Sequence, residues 1–319
     1  MSVDSEPWGV LGSGGFVGSA IVRELHRRGV RVRKIHAPRL EADPRATAAE
    51  LAEHARRGST ANELARQLKG VRIVVNAAGL ASPSSPPTPE LFGANALLPA
   101  VVAEAARIAG VARTIHVSSA AVQGRRRVLD ETSEVEPFSP YSRSKSVGEQ
   151  VLERERPAAG ERVIVRATSV QGEGRPTTER LRKFGSGPFA SVAAPGTRPT
   201  PVSSVFALAE LVVAVGAFPG PVAPIVLQPW EGLTTADVMA AASGRAPRLL
   251  PTWFCSLAVG GGYLAARIFP RLGGLIRRLE LLWWGQSQVI GWAASVGIVP
   301  NPRVLDVLRG KAADPISGI

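Results

Sequence analysis

Residues 10–40 read VLGSGGFVGSAIVRELHRRGVRVRKIHAPRL. A short apolar run leads into three glycines spaced three residues apart, and an amphipathic stretch then continues to Gly29. Glycine at such positions permits a tight turn, lets backbone amides approach a pyrophosphate and lets a helix pack closely on a sheet. The spacing therefore predicts a strand, a phosphate-binding turn and a helix that together bind a dinucleotide. The residues predicted to surround the pyrophosphate are Gly12, Gly15, Phe16, Val17 and Gly18.

The residues after the second strand-like run bear on which dinucleotide is bound. In such units an Asp or Glu about 20 residues after the glycines binds the hydroxyls of the adenosine ribose. This chain has His36 and Arg39 there and no carboxylate. A guanidinium accommodates a 2′-phosphate better than free hydroxyls. The sequence therefore predicts NADP(H), with NAD(H) as the weaker alternative, and places His36 and Arg39 at the adenosine end.

Strand-like and helix-like stretches alternate through the first half of the chain, a pattern typical of a parallel sheet with helices on both faces. The order blurs only between residues 41 and 70, which have helical spacing and no clear third strand. We therefore predict an α/β fold with a Rossmann-type, doubly wound parallel sheet. The predicted strands cover residues 8–12, 30–35, 71–79, 113–119 and 162–168.

Beyond residue 170 the loops lengthen and contain more Gly and Pro. This change predicts a dinucleotide-binding domain in residues 1–170 and a smaller, mainly C-terminal substrate-binding domain in residues 171–319. Residues 199–228 are expected to return to the first domain. The Pro/Ser-rich segment at 81–90 is expected to form a loop beside a ligand.

Composition excludes several classes of protein. The chain has 319 residues, 45% of them hydrophobic, and a formal charge of +12 that is carried mostly by arginine. Its basic clusters are separated and lack interleaved aromatic residues, so a nucleic-acid partner is not expected. The single cysteine, Cys255, cannot form an internal disulfide, and the histidines lack ligand spacing, so no metal site is expected. An N-terminus without a signal-peptide pattern predicts a cytoplasmic protein.

The C-terminal region is unusually apolar and contains four of the six tryptophans. Its longest apolar run, residues 253–269, spans only 17 residues and includes Arg267 and three successive glycines, so a transmembrane helix is not expected. A core helix or an interface with a partner subunit is the preferred interpretation. Contact with a membrane surface remains an alternative because Arg271, Arg277 and Arg278 follow.

Candidate catalytic residues lie in and before the segment SPYSRSK, in which Tyr141 and Lys145 are four residues apart just after Pro140. Proline is favoured in the first turn of a helix, and the spacing places both side chains on one helix face. A protonated lysine there favours the phenolate and lowers the pKa of the tyrosine, which then serves as an acid and base. A serine pair, Ser118 and Ser119, ends a predicted strand 22 residues before Tyr141.

With these residues the chain resembles the extended short-chain dehydrogenase/reductase family, the NAD(P)-dependent epimerase/dehydratase group. The resemblance runs from about Trp8 to Val205 and more faintly to the C-terminus. It implies a Rossmann fold and reversible hydride transfer between the nicotinamide ring and a carbinol or keto carbon. Homodimers are common in the family, so a homodimer is an expectation here. The motifs that carry the resemblance are the glycine triplet, NAAG (76–79), Asn95, VSSAAVQG (117–124), YSRSK (141–145) and VRATSVQGEG (165–174).

The same resemblance implies roles for individual residues. Tyr141 would exchange a proton with the substrate hydroxyl. Ser119, which directly precedes AAVQG, would hydrogen-bond the reacting oxygen. Lys145 would bind the nicotinamide ribose and tune Tyr141. Asn95 would support the cofactor site, and the residues that line it would be Asn76, Ala77 and Ala78.

Departures from the family pattern narrow the range of reactions that the chain is expected to catalyse. Ala120 and Ala121 stand where sugar dehydratases of this family carry an Asp–Glu pair, so dehydration is not expected. Many members act on nucleotide-diphosphate sugars, whose diphosphate would face the arginine-rich region that begins at Arg175. The residues predicted to contact substrate are Gln123, Arg180, Lys183 and Arg198.

The leading hypothesis is an NADP(H)-dependent ketoreductase or epimerase of a nucleotide-activated sugar. The first alternative is a reductase of a non-sugar ketone, similar to the steroid or flavonoid reductases of the same extended family, because of the apolar tail and the Pro/Ser loop. The second alternative is a non-catalytic dinucleotide sensor. The intact Ser119, Tyr141 and Lys145 argue against it.

Overall fold

The structure of the protein is a computed structural model that describes residues 6–81, 86–154, 160–188, 190–269 and 272–311. Part of the predicted Pro/Ser loop, Arg271 and the first five residues, which contributed to the cytoplasmic prediction, lie outside the described residues.

The strands are short and are distributed along most of the chain. In chain order they are β1 (Trp8–Leu11), β2 (Val32–Ile35), β3 (Ile73–Asn76), β4 (Arg113–Ser119), β5 (Val128–Leu129), β6 (Glu161–Ala167), β7 (Ser169–Gln171), β8 (Ser191–Ala193), β9 (Val202–Ser204), β10 (Ile225–Leu227), β11 (Arg248–Leu250) and β12 (Ser287–Gln288).

Helices separate most of these strands. They are α1 (Phe16–Arg27), α2 (Ala48–Arg57), α3 (Ser59–Leu68), α4 (Pro89–Phe92), α5 (Leu98–Ala109), α6 (Pro140–Arg154), α7 (Pro176–Ser186), α8 (Val205–Ala217), α9 (Thr235–Ser243), α10 (Thr252–Ile268), α11 (Leu272–Trp284), α12 (Trp292–Ser295) and α13 (Val304–Leu308). A π-helical turn, Gly93–Leu97, joins α4 to α5, and a 3₁₀ turn, Ala120–Gln123, follows β4.

Six strands form the main sheet, in the order β2–β1–β3–β4–β6–β10, and every neighbouring pair is parallel. The order reverses at β1, where Leu11 lies opposite Ile35 of β2 on one side and Asn76 of β3 on the other. In open α/β sheets, ligands bind at the carboxyl ends of the strands beside such a reversal. The predicted Rossmann-type, doubly wound parallel sheet is confirmed.

Helices cover both faces of this sheet. On one face, α1 and α8 pack together, with Trp8, Leu25 and Leu208 in their shared core. On the other face, α3, α5 and α6 enclose a second core that includes Leu64. A Cβ atom at Gly216 of α8 would lie 2.2 Å from the Trp8 ring, so glycine lets α8 approach the start of β1.

The region that showed no third strand in the sequence is helical in the structure. Thr47 and Glu50 begin α2 with a reciprocal cap, in which each side chain accepts a hydrogen bond from the other residue's backbone amide. The chain after β2 forms α2 and α3 in place of a further strand. The described part of the sheet therefore ends at β2.

Beyond β6 the chain builds a layer over the carboxyl edge of the sheet. Short parallel pairs form between β7 and β9 and between β8 and β11, and α7 packs against α9. Between these elements, β10 returns to the main sheet beside β6 and α8 returns beside α1. The carboxyl ends of β4 and β6 therefore face this layer.

Of the two interpretations of residues 253–269, a core helix or an interface with a partner subunit, the structure does not show a core helix. Only Cys255 and Val259 of α10 are buried, because α10 packs on α11 along one narrow face and exposes the rest. By length and composition, one helical stretch among the described residues, Pro89–Ala109, could cross a membrane, and 83% of its apolar window is buried inside the fold.

Candidate active site

The glycine turn has the geometry that its sequence predicts. Gly12 has φ +72°, and a Cβ atom there would lie 2.7 Å from the Ala78 backbone. A Cβ atom at Gly18 would lie 2.0 Å from the Gly12 carbonyl oxygen. Gly15 precedes α1 without a side-chain cap, so the first amides of α1 are free to bind an anion. A pyrophosphate fits the space beside these three glycines, which we call the glycine cradle. Any larger side chain at these positions would fill it.

The residues predicted for the adenosine end lie beside this turn. His36 directly follows Ile35, which is opposite Leu11 in the sheet, so His36 and Gly12 emerge at the same edge. His36 and Arg39 are both exposed, and the His36 amide donates to Gln67 Oε1 at 3.1 Å.

Asn76 and Asn95 are buried and use their side chains to fix the local backbone. Asn76 Oδ1 accepts from the Ala78 amide at 3.2 Å. Asn95 bonds both the amide and the carbonyl oxygen of Leu80 and donates to Ser144 Oγ at 3.0 Å. Asn95 therefore joins the chain after β3 to α6, which supports the cofactor edge from beneath.

Two elements, β4 and α6, bring the predicted catalytic residues together. Ser119 ends β4, and Tyr141 lies in the first turn of α6 and shares a hydrogen bond with Ser119. Both residues line one cavity of about 330 Å³. Lys145 Nζ donates to the Val117 carbonyl oxygen at 3.0 Å and lies near Gly79, where a Cβ atom would be 3.1 Å from Nζ. Lys145 thus lies between the ends of β3 and β4, on the side of the glycine turn.

The pKa values of Tyr141 and Lys145 reflect their burial, which the sequence did not indicate. Burial raises the pKa of Tyr141, and the hydrogen bond with Ser119 and the charge of Arg175 partly offset that rise. The cation that lowers the pKa of Tyr141 in this structure is therefore Arg175, rather than the predicted Lys145. Burial lowers the pKa of Lys145 itself from 10.5 to about 8, although the negative charge of Glu149 opposes this.

A buried ion pair supports α6 behind Lys145. Arg166 Nη2 donates to Glu149 Oε2 at 2.7 Å, and both side chains are almost completely enclosed. Ser118 Oγ donates to the same carboxylate at 2.5 Å. The pair therefore joins α6 to β4 and β6 next to Ser119. Sequence reasoning missed Glu149, although it lies one helical turn beyond Lys145.

Two cations line the cavity: Arg175, which begins the arginine-rich region expected to face the diphosphate, and Arg278, which the sequence did not indicate. They lie among mostly apolar side chains such as Phe138, Leu181 and Leu282. Among the described residues, no carboxylate lines it.

The predicted substrate residues are not in the cavity wall. Arg180 and Lys183 are exposed because α7 turns its basic face to solvent, and Arg198, in the loop between β8 and β9, is exposed as well. Gln123 is buried, and its amide nitrogen donates to Asp130 Oδ1 at 2.6 Å and to the Glu134 carbonyl oxygen. Gln123 therefore holds the loop after β4 and does not face the cavity.

Arg175 connects the cavity to the glycine turn. Its guanidinium lies 4.6 Å from the centroid of the Phe16 ring, which begins α1. Its Nη1 atom is buried and has no hydrogen-bond partner among the described residues. A buried cationic donor without a partner is costly, so Arg175 is suited to bind an anionic or carbonyl oxygen in the cavity.

The residues around the turn fit a nicotinamide dinucleotide, and they offer no alternative metal centre. Within the described chain, His, Cys, Asp and Glu side chains do not gather into a group of three that could hold a metal ion. His116, beneath Asn76, is neutral because burial and then the charge of Lys145 hold its pKa well below the usual range.

Comparisons with known proteins agree with this geometry. Residues 8–193, more than half of the chain, match the model of the NAD dependent epimerase/dehydratase family. A search of curated proteins gives no match.

Solved structures share the fold at low sequence identity. MoeE5, in complex with UDP-glucuronic acid and NAD, is 21% identical, with a TM-score of 0.64 over 95% of this chain and 96% of its own. UDP-glucose 4-epimerase of Thermus thermophilus, in complex with NAD, is 20% identical, with a TM-score of 0.60 over 95% and 96%. The dTDP-4-dehydrorhamnose reductase of Bacillus anthracis, in complex with NADP, is 15% identical, with a TM-score of 0.62 over 96% and 98%.

The glycine cradle, the Ser119, Tyr141 and Lys145 group and the family match agree with one another. The chain belongs to the NAD dependent epimerase/dehydratase family, and it is an enzyme whose cofactor is a nicotinamide dinucleotide.

Proposed function

We propose that this enzyme is an NADP(H)-dependent ketoreductase or epimerase that acts at a carbinol or keto carbon of a nucleotide-activated sugar. The observation that carries the proposal is the cavity in which Ser119 and Tyr141 meet beside Arg175. It places an acid, a hydrogen-bond donor and a cation around one space next to the glycine turn.

The nicotinamide ring, when bound, supplies or accepts the hydride. The chain's own residues manage the oxygen and its proton. Tyr141 keeps its hydroxyl proton at neutral pH because burial raises its pKa. In the reducing direction it donates that proton to the substrate oxygen as charge develops there. Ser119 donates a hydrogen bond to the same oxygen, and Lys145, held at the Val117 carbonyl, is placed to bind the ribose hydroxyls.

NADP(H) is proposed over NAD(H) because of the adenosine end. His36 and Arg39 are exposed at the carboxyl edge where the ribose would lie, and the segment between them contains no carboxylate. Of the three similar structures described above, two contain NAD and one contains NADP. Isothermal titration calorimetry with NADPH and with NADH tests this cofactor preference directly. Tighter binding of NADH would refute it.

A nucleotide-diphosphate substrate is supported by two observations. Arg175 and Arg278 line the cavity, and guanidinium groups bind diphosphates through paired hydrogen bonds. MoeE5 and the Thermus thermophilus epimerase have UDP-sugars in their names or complexes. Dehydration is not proposed, because Ala120 and Ala121 line the cavity without carboxylates.

The proposal is tested with NADPH and a panel of UDP- and dTDP-linked 4-keto sugars, and with NADP+ and the corresponding sugars that carry a 4-hydroxyl group. Stoichiometric loss of NADPH absorbance identifies a reductase, and interconversion of epimers without net loss identifies an epimerase. A Tyr141→Phe variant should lose either activity. No turnover with any nucleotide sugar, together with no thermal protection by UDP or dTDP, would refute the sugar assignment.

A second candidate is an NADPH-dependent reductase of an apolar ketone. The observation that favours it is the mostly apolar cavity wall, which includes Phe138, Leu181 and Leu282, while Arg180 and Lys183 lie outside. Protection by NADPH but not by UDP or dTDP would favour this candidate.

The position of the cavity along the chain bears on the proposed division into two domains. The cavity draws residues both from before residue 170 and from beyond it. We therefore propose residues 1–170, with 199–228, as the cofactor domain and the rest of residues 171–319 as the substrate domain.

A further inference from the structure

Among the described elements, α10 carries the most exposed large hydrophobic side chains. Trp253, Leu257, Leu264 and Ile268 follow one another at intervals of four, seven and four residues, which places them on one helix face. They are 66%, 68%, 62% and 75% exposed. We call these four residues the α10 face. A contiguous apolar surface of this kind marks a place where the protein meets another apolar phase.

The stretch of sequence that contains the α10 face carries charge of a single sign. Between Asp237 and Glu280 the sequence contains no acidic residue. Glu280 itself is bound by Arg277 at 2.9 Å and by the Tyr263 hydroxyl at 2.6 Å, so it does not balance the surface. The basic residues in this interval are Arg245, Arg248, Arg267, Arg271, Arg277 and Arg278.

One of these arginines, Arg267, borders the α10 face directly in the chain, and Arg248 lies in β11, five residues before Trp253. Arg267 is exposed in the last turn of α10, beside Ile268, and Arg248 is exposed next to Leu249, which is itself 55% exposed. Apolar side chains flanked by arginines that have no acidic partner among the described residues match a surface that is apolar inside and anionic at its rim.

We propose that the α10 face binds the surface of a lipid bilayer that carries anionic headgroups. A helix of 17 residues is about 25 Å long, and α11 packs along its inner side, so α10 lies in the plane of the interface rather than across it. Trp253 and its neighbours enter the boundary between headgroups and acyl chains, and Arg248 and Arg267 reach the phosphates.

A second copy of the chain fits this surface less well. A two-fold contact between α10 faces would bring the arginines of both copies together, with no acidic residue in the same interval to pair with them. An anionic lipid surface removes this conflict because the partner supplies the negative charge.

The helical hairpin also links this surface to the active site. Cys255 and Val259 of α10 pack in one cluster with Trp283 of α11, and Leu281 and Leu282 of α11 line the catalytic cavity. The proposed membrane contact is therefore one helix layer away from the cavity. It stands independently of which substrate the enzyme takes.

Vesicle flotation with the full chain tests the proposal. One set of vesicles contains phosphatidylcholine alone, and the other contains phosphatidylcholine with an equal amount of phosphatidylglycerol. We expect clear binding to the anionic vesicles and much weaker binding to the neutral ones. Replacing both Leu257 and Leu264 by serine should weaken anionic binding by at least about tenfold, and Arg267→Gln should weaken it without affecting neutral vesicles.

The matched control replaces Ile290 and Val299, which are 88% and 77% exposed outside the α10 face, by serine. This control should bind as the unmodified chain does. Thermal unfolding with and without NADPH confirms that each variant folds, which is expected because the substituted side chains lie in water.

Three results would overturn the proposal. One is equal binding to neutral and anionic vesicles, and another is undiminished binding by the Leu257 and Leu264 variant. The third is a dimer that light scattering shows becoming a monomer in that variant, since the α10 face would then be a contact between subunits.

Discussion

Replacing Lys145 by methionine should stabilise the fold while destroying the activity. The Lys145 side chain is buried, and its pKa falls from 10.5 to about 8. A shift of this size corresponds to a cost of roughly 3 kcal/mol for keeping the ammonium charged inside the protein at neutral pH. Methionine has a similar length and carries no charge. Its introduction leaves the Val117 carbonyl without its donor, which costs about 1 kcal/mol.

The expected net gain is therefore about 2 kcal/mol in the free energy of unfolding at pH 7. Urea denaturation of both proteins measures it, and NADPH turnover measures the loss of function. The pH dependence provides a sharper test. Because folding lowers the pKa of Lys145, the unfolded chain binds more protons between pH 8 and 10.5, so the unmodified protein regains stability as the pH rises through that interval. The advantage of the methionine variant should shrink accordingly.

Lys69→Met is the matched control, because Lys69 is exposed and its replacement removes no buried charge. A Lys145→Met protein that is less stable at pH 7, or whose stability difference does not change between pH 7 and 10, would refute this reasoning. Confirmation would show that the site retains a destabilising charge because the chemistry needs it.

Four further predictions concern single side chains. Tyr141→Phe should lower turnover by at least about a hundredfold and leave NADPH binding unchanged by calorimetry. Arg175→Leu should shift the alkaline limb of the pH–rate profile for reduction to higher pH, because the charge that lowers the pKa of Tyr141 is lost; Arg180→Leu should leave that limb in place. Arg39→Asp should weaken NADPH binding by about tenfold and spare NADH. Glu149→Gln should lower the free energy of unfolding by about 3 kcal/mol, because it leaves the buried Arg166 without its carboxylate partner. An unchanged urea midpoint for this variant would contradict the prediction.

The fold could be predicted because its signals are local. The glycine spacing requires a close approach of backbones, and Gly18 meets the Gly12 carbonyl as that spacing indicates. The strand predicted at residues 113–119 has the same bounds in the structure. The four-residue spacing of Tyr141 and Lys145 likewise follows from helix geometry alone.

The substrate side could not be predicted in the same way, because charge alone does not reveal which face of a helix is inward. On α7, Thr177 and Leu181 line the cavity, one helical turn apart, whereas Arg180 and Lys183 face solvent. The apolar Leu181 marked the inward face in the sequence. Arg278 arrives from α11, a long-range contact that local sequence patterns do not indicate.

The apolar tail failed as a core prediction for a related reason. Composition is the same for a helix that is buried and for one that meets an apolar partner. The glycine run and Arg267 argued against a transmembrane helix, but they carried no information about what the outward side of α10 would contact.

The end of the main sheet at β2 also has a consequence for how copies of this chain behave at high concentration. An edge strand presents unpaired backbone groups on which another chain can form a ladder. In β2 the two central residues are Arg33 and Lys34, both exposed, and the Arg33 guanidinium donates to the carbonyl oxygens of Gln67 and Lys69. Positive charge along this edge opposes the stacking of sheets from neighbouring molecules. In this strand, the basic composition protects against aggregation rather than serving catalysis.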